Sequence, residues 1–244
     1  MVGMEASRGE RRKPSDVRVP RVTPLLDALA ALAPCLACGE RPARAHGWCD
    51  DCTSRGWQAR RDGDVLSLGG YRDGLGELVR AAKFDGAMRV LDVLGAALAD
   101  GVSTVLADTP RRGSLWLVPV PSHPRRRAAR GDDPALRLAL AMARRAASAA
   151  LGRGAGPGRI DVAQALQRRV MGQPQSRLRP SQRVANVANA FALDPRWGAR
   201  VAGADVVLVD DVLTSGATIR SAAEPLRSAG AIIRLVAVVA VARG

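Results

Sequence analysis

The chain has 244 residues, 47% of them hydrophobic, and a formal net charge of +14. That length can bury a sizeable core in one domain plus a small appendage. No apolar run approaches the ~20 residues of a membrane span, and no apolar h-region follows the basic N-terminus, so neither membrane insertion nor a secretory signal is expected and the cytoplasm is the expected location. Of the basic residues only Lys13 and Lys83 are lysines. Between Arg125 and Arg183 the arginines face only Asp132, Asp133 and Asp161. Such a stretch attracts the phosphates of a nucleic acid or a diphosphate, or an acidic partner; the bland alternative is a solvated face of an arginine-rich chain.

In chain order, Met1 to Arg21 is charged and punctuated by proline, the composition of a disordered tail. A short apolar helix is expected from Thr23 or Pro24 to Ala33, and the cysteines follow. Val65 to Tyr71 has the pattern of a strand, and Gly74–Phe84 and Ala87–Asp100 that of amphipathic helices. Leu115 to Val120 is a short buried strand, broken by Pro119 and Pro121. Pro134 to Ala150 is an alanine-rich helix, followed by a glycine-dense loop and a basic irregular stretch from Arg168 to Arg183, helical from Ser181. Asp205 to Val209 is the clearest strand, Ser215 to Ala229 a helix closed by Gly230, and Ile232 to Val241 the last strand. Strands alternating with helices imply an α/β fold with a mostly parallel sheet.

All four cysteines lie within Cys35-x2-Cys38 and Cys49-x2-Cys52. In a cytoplasmic chain two such knuckles are the arithmetic of a structural zinc site, because four thiolates close a tetrahedral shell. A closed shell has no open position for catalysis, and His46 between the pairs is surplus to it. A redox role for one pair is the competing reading.

The most informative stretch is VVLVDDVLTSGATI, Val206 to Ile219. Four apolar residues predict a strand buried on both faces, and the C-terminal ends of such strands are where open α/β sheets hold ligands. Asp210 and Asp211, placed there, can accept hydrogen bonds from two sugar hydroxyls. The turn Thr214, Ser215, Gly216, Ala217, Thr218 then supplies hydroxyl donors, a glycine that lets the backbone approach closely, and the free N–H groups of a new helix, together an anion cradle. Groups for a diol followed by a cradle for a phosphate point to a phosphorylated ribose. The loop resembles the 5-phosphoribosyl-1-pyrophosphate (PRPP) motif of type I phosphoribosyltransferases. That resemblance implies that Asp210 and Asp211 contact the ribose diol and that Thr214 to Thr218 bind the 5-phosphate.

Val118-Pro119-Val120-Pro121 is followed by Arg125, Arg126, Arg127 and Arg130, and guanidinium groups beside a strand end can neutralise a diphosphate leaving group. With the cysteine pairs, the Arg130-Gly131 dipeptide, the run QSRLRPSQRVANVANAF from Gln175, and YRDGLGELVRAAKFDG around Lys83, the chain resembles the ComF family of competence-associated phosphoribosyltransferase-like proteins. The resemblance implies a disordered basic tail over residues 1–22, a zinc-ribbon module over 23–62 and a phosphoribosyltransferase-like α/β domain over 63–244, with Lys83 reaching the diphosphate. The pattern departs at Asp132, Asp133 and Pro134, where the family carries an aromatic and Asn-Gln; two acids there are expected to oppose a diphosphate unless a metal intervenes. The expected reaction is Mg²⁺-dependent displacement at C1 of PRPP, with Asp210, Asp211 and Arg130 as the catalytic set and an acceptor the sequence does not name. No histidine offers itself as a base, since His123 reads as a loop residue. The resemblance also implies DNA uptake, with single-stranded DNA and an uptake helicase as partners. A DNA-handling protein without turnover and a PRPP or nucleotide sensor are the alternatives.

Overall fold

The computed structural model describes residues 58–84, 87–110, 113–153, 159–169 and 190–242. The expected tail, the apolar helix at Thr23, the four cysteines, His46 and the run from Gln175 lie outside them.

Six strands form one sheet: β1 (Arg60–Asp62), β2 (Val65–Gly70), β3 (Leu115–Pro119), β4 (Ile160–Val162), β7 (Asp205–Leu213) and β8 (Ile232–Val241). Their order is β1-β2-β8-β7-β3-β4. Only β1 pairs antiparallel; every other neighbour is parallel, as the alternation of strands and helices predicts. A separate antiparallel ribbon joins β5 (Leu166–Arg168) to β6 (Phe191–Leu193). The sequence reading puts Arg60 to Asp62 in the cysteine module, whereas their backbone extends the sheet edge. The helices are α1 (Gly76–Phe84), α2 (Val90–Val105), α3 (Pro124–Arg130), α4 (Pro134–Arg153), α5 (Gly198–Val201) and α6 (Ala217–Ser228).

Period-two alternation in the central strands divides the core between two faces. On one side Leu115, Leu117, Val207, Val209, Leu235 and Ala237 pack with Leu78, Leu91, Leu94, Leu98 and Leu138 of α1, α2 and α4. On the other, Val118, Val206, Leu208, Val236 and Val238 pack with Ile219, Ala222 and Leu226 of α6. Helices thus cover both faces of the sheet, which is why the central strands read as nearly continuous apolar runs. At the α2–α4 crossing a β-carbon on Gly95 would sit 2.6 Å from Ala141 Cβ and 2.9 Å from the Leu138 carbonyl, so glycine is required for this close approach. Asp92 clasps Arg137 (2.6 Å) and Arg144 (2.7 Å) across the same crossing.

Two differences from the sequence reading shape the site. β7 runs on to Leu213, because its parallel pairing with β8 continues through Asp210↔Val238 to Leu213↔Val241. The paired acids, expected at the strand's last residues, are therefore followed by two further hydrogen-bonded strand positions. Pro119 is tolerated inside β3 because β4 pairs only with Leu115 to Leu117, so no neighbour on that side needs the missing N–H. Gly230 closes α6 as expected: it takes φ 84°, its N–H donates to the Arg227 carbonyl at 2.8 Å, and that of Ala231 donates to Leu226 at 3.0 Å, a Schellman closure.

Candidate functional site

The C-terminal ends of β3 and β7 bring three groups of residues together. The first is the acid pair. Asp211 is buried and accepts an ion pair from Lys83 Nζ at 2.6 Å, Lys83 lying on the last turn of α1. The Asp211 N–H donates to Asp210 Oδ1 at 2.8 Å. Burial pushes the Asp210 carboxyl up to about 8; the neighbouring Asp211 charge and Asp133 push the same way, and Lys83 opposes them. Asp210 is thus poised to hold a proton that a ligand's hydroxyls or a cation would replace.

The second is the turn. Gly216 takes φ 74° as the residue that opens α6 and has no side chain to cap it. Left-handed backbone of this kind strains any residue with a β-carbon. The Ala217 N–H reaches Ser215 Oγ only at 3.4 Å, and Arg220 donates to the Ser215 carbonyl at 3.1 Å, bracing the turn from behind. Thr214, Ser215 and Thr218 are exposed, and Gly216 and Ala217 are half-buried. An uncapped helix start with hydroxyls at its mouth and no acid in its first turn has the chemistry to receive an anion. A cavity of about 660 Å³ opens beside it, lined by Leu213, Thr214, Tyr71, Gly70 and Ser67 among others.

The third is the arginine segment, which forms a helix that the sequence reading leaves unassigned. α3 starts with Pro124 behind His123, whose Nδ1 accepts from the Arg125 N–H at 3.3 Å. It ends at Gly131, with φ 74°. Asp133, 5% exposed, accepts from the Ser122 N–H at 3.0 Å and from Ser122 Oγ at 3.2 Å, closing the loop that carries α3. Asp132 accepts from the Asp133 N–H at 2.7 Å and faces Arg137 at 3.6 Å. Both acids thus have partners inside the protein, which gives the Asp-Asp departure a structural account: Asp133 anchors the loop, while its charge still reaches Asp210.

The structure brings Lys83 to Asp211, beside Asp210 and just ahead of the Thr214–Thr218 turn. Arg125 and Arg126 are exposed on α3; only the backbone of Arg130 is described. Arg127 lines a different cavity, beyond β5. The cysteines lie outside the described residues. Two site neighbours were not legible as such. Arg168, expected in an irregular stretch, lies on β5, where burial and Arg126 lower its proton affinity and Asp210 raises it; its guanidinium sits 5.1 Å from the centre of the Phe191 ring. His123, expected as a bystander, has its proton affinity lowered by desolvation and by Arg168, Arg125 and Arg126.

Residues 139–244 match the family model described as a phosphoribosyl transferase domain. The match starts within α4 and takes in β7, the turn, α6 and β8, but not Lys83, β3 or α3. The mostly parallel sheet flanked by helices fits the type I phosphoribosyltransferase-like fold that this match supports. Among solved structures, the chain is similar to a phosphoribosyltransferase from Corynebacterium diphtheriae at 17% identity and TM-score 0.32, covering 67% of this chain and 78% of that one. It is also similar to the protein TT1426 from Thermus thermophilus at 18% identity and TM-score 0.28, covering 63% and 81%. No curated protein matches the chain significantly.

Proposed function

We propose that the chain binds PRPP at the end of β7 and transfers its phosphoribosyl group to an acceptor seated in the adjoining cavity. The observation that carries this reading is the acid pair Asp210–Asp211 running directly into an uncapped α6 behind left-handed Gly216, inside the stretch that matches the family. The acids take the ribose diol, and the Thr214–Thr218 turn takes the 5-phosphate. Lys83 with Arg125, Arg126, Arg127 and Arg130 would neutralise the diphosphate, Arg127 also lining the cavity beyond β5. Displacement at C1 breaks the bond to pyrophosphate and forms one to the acceptor through an oxocarbenium-like state, so catalysis consists of positioning and charge stabilisation. The carboxyl oxygens of Asp210 and Asp211, adjacent at the end of β7, would hold Mg²⁺, a hard cation that prefers oxygen ligands. When bound, Mg²⁺ would supply neutralisation of the diphosphate.

Calorimetry with PRPP, with and without Mg²⁺, tests the site. Binding is expected to vanish in the Asp210→Asn, Asp211→Asn double variant, and unchanged affinity would remove the assignment. Pyrophosphate release across a panel of bases then divides an enzyme from a PRPP or nucleotide sensor. A second reading, single-stranded DNA handling in competence with an uptake helicase as partner, draws on the arginine excess between Arg125 and Arg183. It predicts binding that falls steeply with salt, and no binding at low salt would end it. Cys35, Cys38, Cys49 and Cys52 are proposed as the ligands of a structural Zn²⁺ in a ComF-like module, four thiolates being the donor set that metal prefers.

A further inference from the structure

A cavity of about 840 Å³ lies beyond the β5–β6 ribbon, and none of its lining comes from the Asp210–Thr218 stretch. Arg127 of α3, Arg196 and Arg200 converge on it, with Gln164, Gln167 and Trp197 completing the polar and aromatic wall. Asp194 is the acid in this lining, and it is already engaged. It accepts from the Arg196 guanidinium at 2.6 Å, from the Arg196 N–H at 3.0 Å and from Gln167 at 2.9 Å, and Arg196 holds it well below the usual carboxylate range. Three guanidinium groups against one neutralised acid leave the wall positive. Arg127 and Gln164 have no side-chain partner among the described residues, and Arg200 lies over the Trp197 ring at 5.4 Å from its centre. Trp197 is fixed in turn, edge-on to Trp116 with ring centres 5.4 Å apart.

These groups match the parts of one kind of ligand. Guanidinium forks bind phosphate by paired charge-assisted hydrogen bonds. Carboxamides offer a donor and an acceptor side by side, the pattern that base edges read. A tryptophan stacked with arginine gives a planar wall. We infer that this cavity is a second site, distinct from the β7 turn, and that it takes a nucleotide through its phosphate and its base. The inference does not rest on the PRPP reading, because it uses none of that site's residues except Arg127, which it reassigns. A nucleotide can be free or part of a nucleic acid chain; the chemistry is the same, and the test separates them.

The test is calorimetry on the full chain carrying Asp210→Asn, Asp211→Asn and Gly216→Ala, so that neither the acid pair nor the phosphate turn behind it contributes. The probes are adenosine, guanosine, cytidine and uridine 5′-monophosphates, inorganic phosphate, and a single-stranded oligonucleotide lacking terminal phosphates. At least one monophosphate is expected to bind with a stoichiometry of one and to outcompete inorganic phosphate. Adding Arg127→Ala and Arg200→Ala is expected to weaken it at least tenfold, about the contribution of one charge-assisted contact. Gln164→Ala should weaken the nucleotide but not inorganic phosphate. All three are surface changes, and unchanged thermal midpoints would show that the fold is kept. Binding of inorganic phosphate as tight as any monophosphate, or indifference to the arginine changes, would overturn the assignment; binding by the oligonucleotide alone, lost with the same arginine changes, would identify the nucleotide as part of a nucleic acid chain.

Discussion

At the residue scale the decisive group is Asp210. Its native carboxyl titrates near 8, against about 3.9 in an unfolded chain, so the native state keeps an extra proton between these values. The stability this confers is complete below about pH 4 and is lost as pH rises through 8. Asp210→Asn removes the titration, and the variant is therefore expected to equal the parent near pH 4 and to exceed it above pH 8. Because Asp210 keeps some contact with water, the gain is about 2 kcal/mol, less than the full linkage value. Urea midpoints from pH 4 to pH 9 check this; parallel pH profiles would contradict it. Lys83 carries the complementary expectation. Its ion pair with Asp211 spans more than a hundred residues, with side chains 21% and 12% exposed. Removing the cation leaves the Asp211 carboxylate uncompensated, so Lys83→Ala is expected to destabilise the fold by about 1–2 kcal/mol, below the range for fully buried pairs, and to weaken PRPP binding. If stability and affinity both hold, Lys83 is an ordinary helix-end lysine. The sequence pointed to each of these residues but not to their contact, since nothing in a local pattern reports a pairing between α1 and β7.

At the element scale, what could be read depended on whether a segment's pattern was local. β7, β8 and α6 were legible because an apolar run, a turn with small residues and a closing glycine each carry their own signal. α3 was not: PRRRAAR has no apolar stripe, and its helix is set by His123, Pro124 and the left-handed Gly131. The extension of β7 beyond the acids to Leu213 has no local signal, because it follows from pairing with β8, a partner outside the segment. Two glycines test elements directly. Gly216→Ala forces a β-carbon into left-handed backbone and brings it to 3.0 Å from the Arg220 guanidinium. The expected loss is about 1–2 kcal/mol, with PRPP affinity falling further than stability because the turn itself must shift. Equal denaturation midpoints and equal calorimetric affinity would place the turn outside the site. Gly95→Ala acts far from the turn, wedging α2 from α4 against Ala141 and Leu138. It is expected to cost about 1–3 kcal/mol while leaving PRPP affinity unchanged, which chemical denaturation and calorimetry on the same sample can separate.

At the scale of the whole molecule the question is whether the cysteine module and the α/β domain stand or fall together. Both halves of the described core are built after the last cysteine: one face from Leu66 to Ala240, the other from Val118 to Val238. Among the described residues, the earliest packed against either is Ala59. A small metal module with little apolar content of its own depends on its ion, whereas a sheet covered on both faces by helices does not need one. The full-length chain is therefore expected to carry one zinc by elemental analysis when purified under reducing conditions. Chelation should release it without shifting the midpoint of the main thermal transition by more than a few degrees, as expected when the ΔΔG is small. PRPP affinity should persist after chelation as well, because Lys83, the acid pair and the turn all belong to the α/β domain. Zinc loss that collapses the main transition would instead mean that the module seals an edge of the sheet, β1 being the strand closest to it in the chain.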